Sequence, residues 1–165
     1  MLYVVHRGNT ISLARSMGVL IGAGCRVLDD PVDVFGSEPY LVSLGDRVTI
    51  TVGVRFVTHD GGVWLFRKDD EDIDVFGAIA VGSNVFIGFN SIILPNVTIG
   101  DDCVIGAGSV VTKSLESGYV YAGVPAKAVR SVSEYKARCL ARATRIRSLH
   151  PAKKRRYLSE KFRHG

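Results

Sequence analysis

The sequence predicts an all-β chain wound as a parallel β-helix, with a short N-terminal helix and a C-terminal helical tail. Three observations predict it. Residues 81–116 fall into six rows of six that repeat the same chemistry. Glycine supplies 18 of the 165 residues, which implies frequent turns. The charge also changes sign near residue 130. Residues 1–130 carry 10 Lys and Arg against 14 Asp and Glu, a net of −4, and residues 131–165 carry 11 against 2, a net of +9. That shift divides the chain into a repeat domain, 1–130, and a basic extension, 131–165.

The elements follow in order. Asn9–Met17 reads as a short helix with Asn9 or Thr10 as its cap, covering the first coil. Ile21-Gly22-Ala23-Gly24-Cys25-Arg26 is a first row, followed by Val27. The phase then breaks over Asp29–Tyr40, read as a loop leaving the prism. Leu44–Thr49 and Ile50–Arg55 are two more rows, and Phe56 starts a third. A second break, Asp60–Gly77, is read as another departing loop and carries Trp64, Phe66 and the acidic run Asp69–Asp72. Then come the six regular rows. Their first column is Val81, Ile87, Ile93, Ile99, Ile105 and Val111. Their fifth is Val85, Ser91, Val97, Cys103, Ser109 and Leu115, mostly small.

A period of six fits neither a helix nor a simple strand. Three short strands meeting at corners make a triangular coil of 18 residues. The aliphatic first position fills the prism, the smaller fifth also points inward, and Gly, Asn and Asp serve corners that need positive φ. Stacked coils pair their strands in parallel and bury the aliphatic column. Beyond Ala128, Val132, Tyr135, Cys139, Ile146 and Leu149 make a helical stripe interrupted by Arg142. Pro151 should end that helix, and a second should cover about Ala152–Phe162.

Length and composition suit one core-bearing domain. No apolar run reaches the 18 or so residues that span a bilayer, and the stretch Met1–Arg7 is too short for a signal peptide, so the expected location is the cytoplasm. Cys25, Cys103 and Cys139 show no metal or disulfide spacing, and the first two fall where a small inward residue is wanted.

The rows resemble the hexapeptide-repeat acyltransferases, and three stretches sharpen the likeness. Ile99–Lys113 resembles the last full coil of the sugar O-acetyltransferases in that superfamily. Tyr121–Arg130 resembles the segment that closes their helix. Val54–Trp64 resembles the catalytic-loop region of acetyltransferases found with capsule and lipopolysaccharide genes. The likeness covers about residues 10–130. It implies a left-handed β-helix, a homotrimer, acetyl-CoA in a groove between neighbouring subunits, and a histidine that activates the acceptor. The left hand comes from the resemblance alone, since parallel crossovers are otherwise right-handed.

Position and resemblance together select His59 as the catalytic base. It follows a repeat row and opens a glycine-rich loop, and its ring can take a proton and return it near working pH. His6 precedes the repeats, and His150 and His164 lie in the basic tail, where solvated roles are simpler. A base needs a group to orient it. Asp60, Asp33 and Glu38 are the candidates, and the sequence does not choose among them. Backbone amides near Phe86–Asn90 are candidate oxyanion donors.

For the cofactor, the resemblance implies that Phe89 takes a CoA-contacting position and that the backbone of Ala107 approaches the pantetheine arm. It implies that Thr112 and Lys113 stand near the arm and its phosphates, and that Lys127 and Arg130 stand near the 3′-phosphate or adenine. No metal is required. Phe86 sits where many relatives carry Trp. Trp64, Phe66 and Arg67 could form an acceptor platform, with Asp60 and Glu38 beside it, because aromatic faces suit sugar rings. A loop packing on a neighbouring subunit explains the same residues equally well.

The expected reaction is acetyl-CoA-dependent O-acetylation of a sugar hydroxyl in bacterial surface polysaccharide synthesis, with a small-molecule or glycan acceptor. N-acetylation of a nucleotide-linked amino sugar, or serine or xenobiotic acetylation, is the alternative. A gamma-class carbonic anhydrase needs three histidines around one metal, and the repeats hold only His59. The basic tail is read as a helical cap with a weak association to an anionic membrane face. A nucleic-acid role is set aside because the tail has no such motif and only Tyr135, Tyr157 and Phe162 as aromatics.

Overall fold

The computed structural model describes residues 10–163. His6, His164 and Asn9 lie outside the described residues. Helix α1 is Thr10–Ser16. The first coil follows as β1 (Leu20–Ile21) and β2 (Arg26–Val27), then helix α2 (Pro31–Phe35). The second coil is β3 (Val42–Leu44), β4 (Thr49–Ile50) and β5 (Arg55–Phe56). The third is β6 (Ile79–Val81), β7 (Phe86–Ile87) and β8 (Ile92–Ile93). The fourth is β9 (Thr98–Ile99), β10 (Val104–Ile105) and β11 (Val110–Val111). Strands β12 (Tyr119–Ala122) and β13 (Lys127–Ser131) close the stack, and helices α3 (Val132–Arg142) and α4 (Pro151–Phe162) follow.

Three sheets form the faces of a left-handed parallel β-helix. Their orders are β1-β3-β6-β9, β2-β4-β7-β10-β12-β13 and β5-β8-β11. Every pairing is parallel except β12 with β13. The registers are those of an 18-residue coil: Val81 meets Ile99, Ile87 meets Ile105, and Ile93 meets Val111. The first-column residues Ile50, Ile87, Ile93, Ile99, Ile105 and Val111 are all 0% exposed. Each such side chain stabilises the stack by about 1.5–3 kcal/mol.

The fifth column behaves as the period requires. Val85, Val97 and Cys103 are buried, and so are Ser91 and Ser109, whose hydroxyls donate to the Gly106 carbonyl at 3.0 and 2.6 Å. The fourth column carries the positive φ: Asn84, Asn90, Asn96, Asp102 and Gly108 lie between 53° and 69°. The second column has glycine for a different reason. A Cβ on Gly88 would stand 2.7 Å from the Ala107 nitrogen and the Ile105 oxygen of the next coil.

Both phase breaks behave differently from bare loops. The first leaves the six-residue phase, yet its apolar residues return to the core. Asp30 caps α2 by accepting from the Val32 amide, and Val34 and Phe35 are fully buried, with Phe35 stacked on Phe56 at 5.4 Å. Helix α2 therefore packs where a third-face strand of the first coil would stand. The second break closes at its base by an antiparallel bridge between His59 and Phe76, with the Gly77 amide donating to the Thr58 carbonyl at 2.8 Å.

The C-terminal reading needs two corrections. The chain continues as strand β13 to Ser131 before any helix begins, because the β12 edge offers pairing partners that a helical stripe cannot reveal. Ser131 then starts α3 with a capping box: its hydroxyl accepts from the Glu134 amide, and the Glu134 carboxylate accepts from the Ser131 amide at 2.9 Å. Helix α3 stops at Arg142, so Ile146 and Leu149 are not on it, and Pro151 opens α4 rather than ending a helix. The chain forms two compact units, one up to Tyr135 and one from Lys136 onward.

Candidate active site

Strand β5 ends at Phe56, and the next residues turn the third corner of the second coil. Phe56 and Thr58 point inward, 3% and 2% exposed, while the His59 side chain is 42% exposed. Its Nδ1 lies 2.8 Å from Glu38 Oε2. The same oxygen accepts from the Thr58 hydroxyl at 2.6 Å. Phe76 meets the imidazole edge-on, centroids 6.4 Å apart.

Glu38 reaches this corner because α2 is anchored. Burial of Val34 and Phe35 fixes the helix, and Gly36 ends it with φ 64°. Glu38 follows, ahead of the buried Pro39, with its side chain 14% exposed. The Thr58 hydroxyl, and after it the His59 ring, hold its carboxyl below the ordinary value of 4.5, against the opposing effect of burial. An anionic Glu38 can only accept, so the 2.8 Å contact requires the proton on Nδ1, and in the neutral ring that leaves Nε2 unprotonated.

The other two carboxylates considered for this role are engaged elsewhere. Asp60 caps the short 3-10 turn Gly61–Phe66 by accepting from the Gly62 amide at 2.9 Å. Asp33 stands 3.8 Å from Arg55, which also pairs with Asp29 at 3.6 Å.

In the loop after Asp60, Val63 is buried but Trp64 and Phe66 are exposed, 73% and 55%. Arg67 is tied inside the loop, 2.6 Å from Asp74 and 3.3 Å from the Ile73 carbonyl. The amides of Phe86, Gly88 and Asn90 donate to the carbonyls of Cys103, Ile105 and Val52. These three are therefore already used between coils, which removes them as oxyanion donors. The coil-to-coil bonding that builds the prism consumes them.

The six residues matched to the cofactor fall in three places. Phe89 and Ala107 stack at one corner, where the Gly108 amide donates to the Phe89 carbonyl at 2.7 Å; both side chains are exposed. Thr112 and Lys113 are exposed just after β11. The register Phe56–Ile93–Val111 puts them on the same corner as Thr58 and His59, two coils below, or about 10 Å along the axis. Lys127 and Arg130 lie on β13 opposite Ala122 and Val120.

Thr58 and Phe76 are the contacts that sequence reasoning missed. The alternation Phe56 in, Val57 out, Thr58 in was available as a signal for the first. Nothing local marks Phe76.

Comparison with known proteins bears on this geometry. The profile of the bacterial transferase hexapeptide (six repeats) family matches residues 79–113. Protein CapG of Staphylococcus aureus is 50% identical over 162 residues, covering 98% of this chain and 94% of that protein. The galactoside O-acetyltransferase of Escherichia coli K12 is 41% identical over 98 residues, 59% of this chain and 47% of that one. The chain thus spans about half the length of that second relative. Among solved structures, a hexapeptide-repeat acetyltransferase from Vibrio cholerae shares the fold, with a TM-score of 0.55 at 22% identity over 73% of this chain and 78% of that one.

Proposed function

Because this chain belongs to the hexapeptide-repeat transferase family and is an acyltransferase, we propose that it moves the acetyl group of acetyl-CoA to a sugar hydroxyl, with His59 as general base. The observation that carries this reading is the 2.8 Å contact between His59 Nδ1 and Glu38 Oε2. It engages Nδ1, which leaves Nε2 as the nitrogen available to act as a base on an external hydroxyl.

In the reaction so read, Nε2 takes the acceptor hydroxyl proton as the oxygen attacks the thioester carbonyl. The tetrahedral oxyanion collapses, the carbon–sulfur bond breaks, and the imidazolium returns the proton to the leaving thiolate. The products are the O-acetyl sugar and CoA thiol. Glu38 stays ionised throughout and stabilises the transient imidazolium.

The surface suits the donor. Phe89 and Ala107 leave an open, mostly apolar corner for a pantetheine arm, and exposed Lys113 and Lys127 offer cations for phosphates. Thr112 and Arg130 belong to the same reading. Trp64 and Phe66 offer faces for a sugar ring, and Asp60 holds the turn that presents them. Arg67, paired with Asp74 inside the loop and half exposed, belongs to the same acceptor platform.

The reading includes a homotrimer with the donor groove between subunits. Half-exposed Phe86 and Phe89 on the outside of the prism support an interface there. It also includes a role in surface polysaccharide synthesis, drawn from the likeness to protein CapG and to a galactoside O-acetyltransferase. It places the protein in the cytoplasm, peripheral to the inner membrane face. No helix among the described residues is long and apolar enough to cross a membrane. The 11 Lys and Arg against one acidic residue between Lys136 and Arg163 suit weak attraction to anionic lipid.

The experiment is His59→Ala assayed with acetyl-CoA and a simple galactoside. Transfer should fall roughly a thousandfold while acetyl-CoA binding holds. Undiminished transfer would sink the reading.

A further inference from the structure

Among the described residues, three polar side chains are buried: Thr58, Ser91 and Ser109. The two serines bond to the Gly106 carbonyl, Ser91 from the neighbouring coil and Ser109 from within the same one. Thr58 is different, because its hydroxyl donates to a titratable side chain, Glu38 Oε2, at 2.6 Å. That oxygen also faces His59 Nδ1 at 2.8 Å. One partner of the carboxylate is therefore fixed in the packed wall, and the other is half exposed.

We propose that Thr58 is a positioning residue for acyl transfer, its hydroxyl pinning the Glu38 carboxylate so that His59 is held as the Nδ1–H tautomer with Nε2 open to the acceptor. This rests on the reading of His59 as base. A buried hydroxyl without a partner is costly, so the Thr58 bond is enforced by burial. Threonine is stiff at χ1, so the direction of its hydroxyl is set by packing. The carboxylate, by contrast, ends a flexible side chain on a segment outside the repeat phase, and a lone contact with a half-exposed ring would not hold it still. The same bond is the largest influence keeping Glu38 in its ionised form, the form that can accept from Nδ1–H.

The test reads the tautomer directly and needs no turnover. Nitrogen NMR of histidine-labelled full-length protein, with the His59 signals assigned by their loss in His59→Ala, should show the Nδ1–H form dominant when the ring is neutral. Thr58→Val keeps the shape and removes the hydroxyl. It should shift the tautomer ratio about threefold or more toward Nε2–H and lower kcat about tenfold, with the KM for acetyl-CoA unchanged. Thr58→Ser should restore both. Thr58→Ala, read by the same spectrum, serves if the valine variant folds poorly. An unchanged tautomer ratio in a folded Thr58→Val or Thr58→Ala protein overturns the inference. A Thr58→Ser variant as impaired as Thr58→Val also overturns it, because packing alone would then explain the loss. Full transfer by His59→Ala would instead remove the base reading, an outcome the tautomer ratio does not mimic.

Discussion

Glu38 Oε2 stands 2.8 Å from His59 Nδ1, across 21 positions of sequence. The contact exists because α2 packs its Val34 and Phe35 into the prism and so carries the following segment to the corner after β5. A piece of chain outside the repeat thus supplies the partner of the one histidine inside it.

Glu38→Gln should cut kcat roughly a hundredfold while leaving acetyl-CoA affinity in place, since the amide no longer favours the Nδ1–H tautomer or offsets the imidazolium. Its effect on stability should depend on pH. The carboxyl is held below 4.5 in the fold, so its stabilising contribution is present above that value and is lost as pH falls through the lower folded value. The difference in melting temperature between the wild-type and Glu38→Gln proteins should therefore shrink as pH drops below 4.5. A difference that grows over that range would contradict the assigned direction.

Phe35→Ala should destabilise the protein by about 3–5 kcal/mol, because the ring is fully buried and stacked on Phe56. Any folded fraction should also lose activity beyond the loss of folded protein, since the segment bearing Glu38 is no longer anchored. Denaturant melts combined with activity per folded molecule separate the two effects.

Lys113→Ala and Lys127→Ala should raise the KM for acetyl-CoA several-fold with little change in kcat, as expected for cations that bind phosphates away from the reacting carbon. The comparison substrate is acetyl-dephospho-CoA, which lacks the 3′-phosphate. If Lys127 meets that phosphate, its substitution should matter little with this substrate. An equal penalty with both donors would place Lys127 elsewhere.

Full-length protein should sediment with vesicles containing phosphatidylglycerol at low salt and release as salt rises, because exposed charges are screened. Replacing Lys153, Lys154, Arg155 and Arg156 with Gln should abolish the association and leave soluble acetyl transfer intact. Equal binding to uncharged phosphatidylcholine vesicles would refute an electrostatic attachment.

The architecture was legible in the sequence because a β-helix is a local code repeated. Each coil asks for an aliphatic residue at its first position, a small one at its fifth, and Asn, Asp or Gly at its fourth. Val81 to Val111 satisfy all three in unbroken phase, and the pairings Ile87–Ile105 and Ile93–Val111 follow from counting to 18. His59 stood out on similar grounds, as the histidine within the repeats. Strand β13 was not legible, because its partner β12 exists only once the coils are stacked.

What the sequence by itself determined is the prism and the place of its candidate base. What only the tertiary structure decided is which carboxylate meets that base. Asp60 is the neighbour of His59 in sequence, yet its side chain turns away to cap the 3-10 turn that begins at Gly61. Glu38 is distant in sequence but adjacent in space, since burial of two apolar residues in α2 outweighs proximity along the chain. A repeat fixes the positions of its own members through local geometry. An excursion from the repeat is placed by packing, and packing is a property of the assembled fold.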